Sequence, residues 1–113
     1  ADLAAAAALL RAGTDKRPAI VVDCSHANSG KKHSHQEAVW DSVIQQRVDG
    51  NDTIVGLMVE SHLEEGNQKI GDQGLTGLQY GVSVTDECVG WETTQRMLHG
   101  AYDALGPAEA KAA

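Results

Sequence analysis

The sequence predicts an α/β fold built on a parallel sheet, and three observations lead to that prediction. Segments with strand composition alternate with segments whose apolar residues recur at helical spacing. The strand segments are apolar along their whole length, as strands are when helices cover both faces of a sheet. They number only three, which would leave two open edges on an independent sheet. Three consecutive βα units of a (β/α)8 barrel, a fold of about 250 residues, fit this pattern better.

The first half of the chain contains one predicted strand between two predicted helices. Residues 2–12 are rich in Ala and Leu and are followed by Gly13, which favours a helix closed by a glycine. The β-branched run at residues 19–24, AIVVDC, predicts a buried strand. Residues 36–48 predict the second helix. Its apolar residues are Val39, Val43 and Ile44, with Ala38 and Trp40 beside them.

The second half of the chain repeats this alternation around a long loop. Residues 53–60, TIVGLMVE, predict a second strand, and residues 82–86, VSVTD, predict a third. The segment between them, residues 61–81, is rich in Gly and Gln and predicts a loop. Residues 91–105 predict the last helix. Its apolar face is expected to carry Met97, Leu98, Ala101 and Leu105.

Charge and cysteine content restrict the class of function. The 113 residues include 9 Lys or Arg and 16 Asp or Glu, a net charge of −7, which argues against a nucleic-acid partner. No apolar run approaches the roughly 18 residues of a membrane span, so no membrane partner is expected. Two distant cysteines, Cys24 and Cys88, do not form a disulfide framework, and we expect a reducing, cytoplasmic location.

Each predicted strand ends in a side chain that can bind a metal ion. His26 follows the first strand, Glu60 ends the second and Asp86 ends the third. Because the carboxyl ends of parallel strands meet on one face, we expect these three side chains to converge. Strand alternation would also place Cys24 on the same side as His26. The alternative for Asp86 is that it only caps the helix that follows.

One imidazole and two carboxylates suit a divalent cation such as Mn²⁺, Fe²⁺ or Zn²⁺. A carboxylate at the end of an apolar strand is costly to bury without a partner. A cation held by His26, Glu60 and Asp86 would offset that cost. The spacing therefore predicts a metal site at the carboxyl end of the sheet.

Three motifs carry a resemblance to a known family. The segments DCSHANSGKK (residues 23–32), GLMVESHLEEGNQ (residues 56–68) and YGVSVTDECVGWETT (residues 80–94) resemble type I 3-deoxy-D-arabino-heptulosonate-7-phosphate (DAHP) synthase. Family motifs of the form D-x-S-H-A-N-S, V-M-V-E-S-H-L-x-E-G-N-Q and S-x-T-D-x-C-x-G-W-E appear here in order and nearly complete. The resemblance implies that residues 1–113 are the C-terminal portion of a single (β/α)8 barrel domain. The start without Met, inside a predicted helix, fits that expectation.

The resemblance also implies an activity and a cofactor. The family condenses phosphoenolpyruvate with erythrose 4-phosphate and releases phosphate, the first step of the shikimate pathway. Its divalent metal (Mn²⁺, Fe²⁺, Co²⁺ or Zn²⁺) has Cys, His, Glu and Asp ligands, and the last three fall on His26, Glu60 and Asp86. The metal would polarise the aldehyde, with His26 and Asp86 in catalytic positions and Asp86 near the aldose. A homo-oligomer is expected.

The chain departs from the family pattern at its missing upstream segments. The family's Cys ligand and the residues that hold both substrate phosphates lie upstream, so we expect no synthase activity from these 113 residues alone. Cys24 is interpreted as core packing. Cys88 matches a family cysteine near the site that is not a ligand.

Several other residues receive specific predictions. Asn28 and Lys31, in the loop after His26, are candidates for substrate binding, although Lys31 is equally compatible with a solvated loop charge. His62 is expected to support the site by hydrogen bonding. His33 and His35 are expected to be exposed at the start of a helix, and Trp40 and Trp91 to be packing residues.

Two alternatives remain open at this stage. The related octulosonate-phosphate synthases condense phosphoenolpyruvate with arabinose 5-phosphate and share the barrel and the His, Glu and Asp ligands. The strings SHANS and EGNQ argue against them. The second alternative is a non-catalytic half-barrel whose open strand edges drive self-association.

Overall fold

The computed structural model describes residues 2–107 as a mixed α/β structure. Three helices and two strands lie in this range: α1 (Asp2–Gly13), β1 (Ile20–Asp23), α2 (His33–Val48), β2 (Ile54–Met58) and α3 (Trp91–Leu105). Short 3₁₀ turns occur at Ala27–Ser29 and Gly74–Gly77. None of the helices in the described part of the chain has the length and apolar character that crossing a membrane requires.

Strands β1 and β2 pair in parallel, as predicted, and α2 connects them. Ile20 pairs with Ile54 and Asp23 with Met58, with an irregularity between Ile20 and Val21. A Cβ at Gly56 would lie 3.3 Å from Cγ2 of Val21, so a glycine permits this close approach of the strands. The pairing brings the carboxyl ends of both strands to one edge, where the loops that carry His26 and Glu60 begin.

The predicted third strand at residues 82–86 is wrong. This segment forms an isolated bridge with the preceding loop, Asn67 with Ser83, and a second bridge pairs Gly66 with Cys88 just beyond the segment. Side chains compete for its backbone: Asn67 donates a hydrogen bond to the Thr85 carbonyl at 2.9 Å, and the Ser83 hydroxyl accepts the Thr85 N–H at 3.1 Å. Side-chain bonds of this kind replace the ladder that a strand needs.

Helix α2 begins at His33, three residues before the predicted start at residue 36. Lys32 occupies the N-cap position without a side-chain cap. The His33 N–H instead donates to the carboxylate of Glu87 at 3.1 Å, far along the chain. A remote residue therefore supplies the cap, and no local signal marks the start of the helix.

The main core lies where α2 and α3 cover one side of the sheet. Its buried members are Cys24, Trp40, Ile44, Val89, Met97 and Ala101. The Trp40 indole also donates to the Met97 carbonyl at 3.1 Å, which confirms Trp40 as a packing residue. Because Met97, Ala101 and Leu105 follow one another at spacing four, Leu98 turns outward and is 51% exposed, against prediction. Trp91 is 54% exposed at the first position of α3, so its predicted packing role is also wrong.

Candidate metal centre

Three of the predicted site residues converge at the carboxyl edge of the sheet. One ligand atom each of His26, Glu60 and Asp86 lies within 4.8 Å of the other two. Nε2 of His26 lies 3.1 Å from Oδ2 of Asp86 and 3.5 Å from Oε1 of Glu60. One imidazole nitrogen therefore faces two carboxylates, a set of donors suited to a divalent first-row metal ion.

His26 reaches this position through a turn, and its predicted alignment with Cys24 is wrong. Strand β1 ends at Asp23, so strand alternation does not extend to residue 26, whose φ and ψ are −93° and −107°. The Cys24 side chain is fully buried in the helix-facing core, as predicted for a packing residue. Burial raises the pKa of the Cys24 thiol to about 11, and the side chain packs in the core, away from the carboxylates.

Asp23 orients the His26 ring, a role that sequence reasoning missed. Oδ2 of Asp23 lies 2.7 Å from Nδ1 of His26, which places a proton on Nδ1 and directs Nε2 toward the carboxylates. This bond, followed by the one to Asp86, raises the pKa of His26. Burial would raise the pKa of Asp23, but hydrogen bonds from the Ser25 N–H, the His26 ring and the Ser25 hydroxyl lower it to about 2. The available signal was an acidic residue three positions before His26.

Glu60 provides the clearest test of whether a cation fits. Its Oε2 atom is buried, and no described residue offers that atom a hydrogen bond. A buried carboxylate oxygen without a donor is rare because the lost hydration is costly. The groups beside the Glu60 carboxylate are the carboxylate of Asp86 and the imidazole of His26. Both can give an electron pair to a cation, as the ligands of a metal site do. The residues present therefore fit a divalent cation held by His26, Glu60 and Asp86.

Asp86 lies on an irregular segment that its neighbour Glu87 anchors. The Glu87 carboxylate accepts the His33 N–H, lies 2.8 Å from Nδ1 of His33 and lies 3.2 Å from Nζ of Lys32. These contacts, led by the His33 N–H, lower the pKa of Glu87 to about 2. His33 is half-buried in this cluster, so its predicted exposure is wrong, whereas His35 is exposed. The partner of His33 is 54 residues away in sequence, beyond the reach of a local pattern.

Glu87 gives the fold an expected pH dependence. Its folded pKa of about 2 lies below the ordinary 4.5, so its contribution to stability is present above pH 4.5 and is lost as the pH falls toward 2. The Glu87→Gln variant should be less stable than the parent chain at about pH 6, and the difference should shrink as the pH falls toward about 3. Urea unfolding of metal-free chain across this range measures it. Glu64→Gln, at an exposed carboxylate, is the control, and a gap that does not change with pH contradicts the expectation.

The remaining predicted residues lie around this centre with different partners. Asn28 donates from Nδ2 to the Asp23 carbonyl at 2.7 Å, beside the residue that orients His26. Lys31 is exposed and has a φ of +63°, unusual for a residue other than glycine. Nδ1 of His62 accepts the Leu63 N–H at 2.8 Å, and its supporting role stays a prediction. Cys88 is buried, and burial raises the pKa of its thiol.

Comparison with known proteins points to one family. The profile of the DAHP synthetase I family matches residues 1–99. The Tyr-sensitive phospho-2-dehydro-3-deoxyheptonate aldolase of Enterobacter agglomerans is 48% identical over 97 residues, which are 86% of this chain and 44% of that protein. The enzyme of the same name from Escherichia coli is 48% identical over 89 residues, 79% of this chain and 25% of its own length.

A solved structure supports the same relationship at the level of the fold. The structure of phospho-2-dehydro-3-deoxyheptonate aldolase from Francisella tularensis matches with a TM-score of 0.69 and 44% sequence identity. The match covers 76% of this chain and 24% of that one, so the chain spans about a quarter of the solved relative. With the match of the family profile across most of its length, the chain belongs to the DAHP synthetase I family.

Proposed function

We propose that the chain forms the C-terminal part of the active site of a 3-deoxy-7-phosphoheptulonate (DAHP) synthase. The reaction is a metal-dependent condensation of phosphoenolpyruvate with erythrose 4-phosphate that releases phosphate, in aromatic amino acid biosynthesis. The observation that carries the proposal is the convergence of His26, Glu60 and Asp86 around a buried carboxylate oxygen, in a chain of this family.

We infer that the chain is the C-terminal portion of a single (β/α)8 barrel, predicted as three βα units, of which the described residues form two strands of the sheet. The parallel pairing of β1 with β2 around α2 supports this assignment. Val21 and Val55, the second residues of the two strands, are each 62% exposed, which is unusual for strand valines. The radius of gyration is 17.2 Å, against about 13 Å for a compact domain of this length. Neighbouring barrel strands would cover such surfaces.

The residues of the centre have separable roles in this proposal. His26, Glu60 and Asp86 would hold a divalent ion (Mn²⁺, Fe²⁺, Co²⁺ or Zn²⁺), which would supply Lewis acidity toward the aldehyde of erythrose 4-phosphate. Asp23 keeps a proton on Nδ1 of His26, so that Nε2 has a free electron pair with which to bind the ion. The side chain of Asp86, 55% exposed, is the most accessible of the three and would face the aldose.

Few positively charged side chains lie near the centre to bind the substrate anions. Both substrates carry phosphate, whereas Asp23, Glu60 and Asp86 make the centre acidic. Lys32 is engaged with Glu87, which leaves Lys31 as the neighbouring loop cation for a phosphate or carboxylate, with Asn28 beside it. We therefore expect the 113 residues alone to show no turnover with both substrates and Mn²⁺. Release of phosphate by the pure chain would contradict this expectation.

Complementation with a relative tests the proposed function directly. The Escherichia coli enzyme, truncated before the segment that this chain matches, would be mixed with the chain, both substrates and Mn²⁺. We expect phosphate release from the mixture and from neither part alone. The His26→Ala chain is the control and should not restore activity. Equal restoration by His26→Ala would contradict the proposal.

The same assay separates the remaining alternatives. Replacement of erythrose 4-phosphate by arabinose 5-phosphate should give no product, and a preference for arabinose 5-phosphate would favour an octulosonate-phosphate synthase. The exposed Val21 and Val55 also agree with a non-catalytic assembly unit. Such a unit would show no dependence of its stability on metal.

A further inference from the structure

We propose that Gln36 is a positioning residue that fixes the separation of Glu60 and Asp86 and thereby sets the affinity of the centre for a divalent cation. The inference rests on the proposed metal centre and adds to it a residue from helix α2. Gln36 is not among the three ligands, and its side chain lies behind them, on the helix side of the sheet edge.

The burial of Gln36 needs an explanation. Its exposed fraction is 0%, and among the described residues only Gln36 and Cys24 have side chains buried this completely. Gln36, Trp40 and Ile44 recur at spacing four along the buried face of α2. An apolar side chain at position 36 would fill the same space and would need no hydrogen-bond partners. Burying a carboxamide is costly unless its atoms find hydrogen bonds, so the bonds that it makes are informative.

The first pair of bonds holds the backbone of Glu60. Oε1 of Gln36 accepts the Glu60 N–H at 3.1 Å, and Nε2 lies 3.4 Å from the Glu60 carbonyl oxygen. Strand β2 ends at Met58, where its last pairing with β1 also ends, so β1 no longer supports the backbone at residue 60. The carboxamide takes the place of a neighbouring strand for this one residue. It therefore fixes the direction in which the Glu60 carboxylate leaves the backbone.

The third bond reaches the segment that carries Asp86. Nε2 of Gln36 lies 3.3 Å from the carbonyl oxygen of Glu87, the residue after Asp86. One planar group thus ties together two backbone segments that each carry a carboxylate ligand. Backbone bonds also join the same segments: the Val89 N–H donates to the Glu60 carbonyl and the His62 N–H donates to the Val89 carbonyl, each at 2.9 Å. Loss of the carboxamide would leave the Glu60 N–H without its partner and the spacing of the two carboxylates to backbone bonds that lie mostly beyond the ligands, at residues 62–66 and 88–89.

Metal titration of matched variants tests the proposal. Gln36→Met keeps the length and burial of the side chain but removes all three bonds. Co²⁺ would be titrated into each chain, with calorimetry for affinity and the visible absorption bands for ligand geometry. We expect Gln36→Met to bind about tenfold to a hundredfold more weakly, with altered bands. Val43→Ala, a cavity substitution at a buried residue elsewhere on α2, should bind within about twofold of the parent with unchanged bands.

A measurement on the unsubstituted chain covers the case in which Gln36→Met does not fold. The two Nε2 protons of Gln36 should exchange slowly with solvent, and their NMR signals should shift when Zn²⁺ saturates the centre. The carboxamide of Gln68, which donates to Gln79 and Val82 in the long loop, is the control and should not shift. Rapid exchange with no shift would overturn the proposal, as would unchanged Co²⁺ affinity and bands in folded Gln36→Met.

The controls also separate this proposal from the metal centre on which it rests. A parent chain that binds Co²⁺ no better than its His26→Ala variant would overturn the proposed centre itself, and the role of Gln36 with it. A parent chain that binds Co²⁺ through His26, together with an indifferent Gln36→Met variant, would overturn only the role of Gln36.

Discussion

Saturation with Mn²⁺ should raise the free energy of unfolding of this chain by about 4 kcal/mol when the free ion is about a thousandfold above its dissociation constant. The expectation follows from the buried Oε2 of Glu60 and the cluster of carboxylates around His26, which a cation would neutralise. In a domain of this size, the change corresponds to a rise in Tm of roughly 15 °C. Calorimetric melting with added metal, and again after a chelator, measures it.

The control for this experiment is the His26→Ala chain, which keeps both carboxylates but lacks the imidazole donor. Its Tm should respond only weakly to Mn²⁺, because two carboxylates alone form a poorer site. A parent Tm that neither metal nor chelator changes would contradict the metal centre. Sedimentation in the same buffers would then test for the non-catalytic assembly unit, which predicts self-association independent of metal.

Replacement of Glu60 by Gln should change metal affinity and metal-free stability in opposite directions. Affinity should fall by about two orders of magnitude, because the neutral amide supplies no anionic ligand at a three-donor site. Without metal, the same substitution should stabilise the chain by about 1 kcal/mol, because it removes a charge whose Oε2 has no donor. Calorimetric titration measures the first change, and urea unfolding in chelator measures the second.

A matched control for Glu60→Gln lies on the loop that follows. The side chain of Glu65 is 73% exposed, so Glu65→Gln removes the same charge without disturbing the centre and should change neither quantity appreciably. If Glu60→Gln instead destabilises the metal-free chain, then the main role of Glu60 is to pair with protonated His26, at 3.5 Å, and the metal-ligand assignment is contradicted.

The parts of this structure that the sequence predicts well are those set by local pattern. Strands β1 and β2 are short β-branched runs, and α3 begins and ends at the predicted residues, Trp91 and Leu105. The convergence of His26, Glu60 and Asp86 follows from a topological rule, that residues after parallel strands meet at one edge. Asp86 reaches the same edge although the strand predicted before it does not form, because bonds to the long loop hold its segment there.

The features that the sequence did not predict depend on polar partners far along the chain. Helix α2 starts earlier than predicted because the Glu87 carboxylate caps it. Gln36 can be buried because its carboxamide forms hydrogen bonds with the backbone of residues 60 and 87. Because glutamine side chains are mostly exposed in proteins, the sequence alone predicts that Gln36 lies on the surface. The third strand failed for the same reason, since side chains of the long loop bond to its backbone. The position of Cys24 shows that alternation holds only while the strand continues.

The distance along the chain between the ligands has a kinetic consequence. His26 and Asp86 are 60 residues apart, so their contact requires closure of a long loop after β1, α2 and β2 have come together. We therefore expect the complete set of donors to form late in folding, after the main barrier. A bound cation should then lengthen the lifetime of the native chain by slowing unfolding, while the rate of folding changes little.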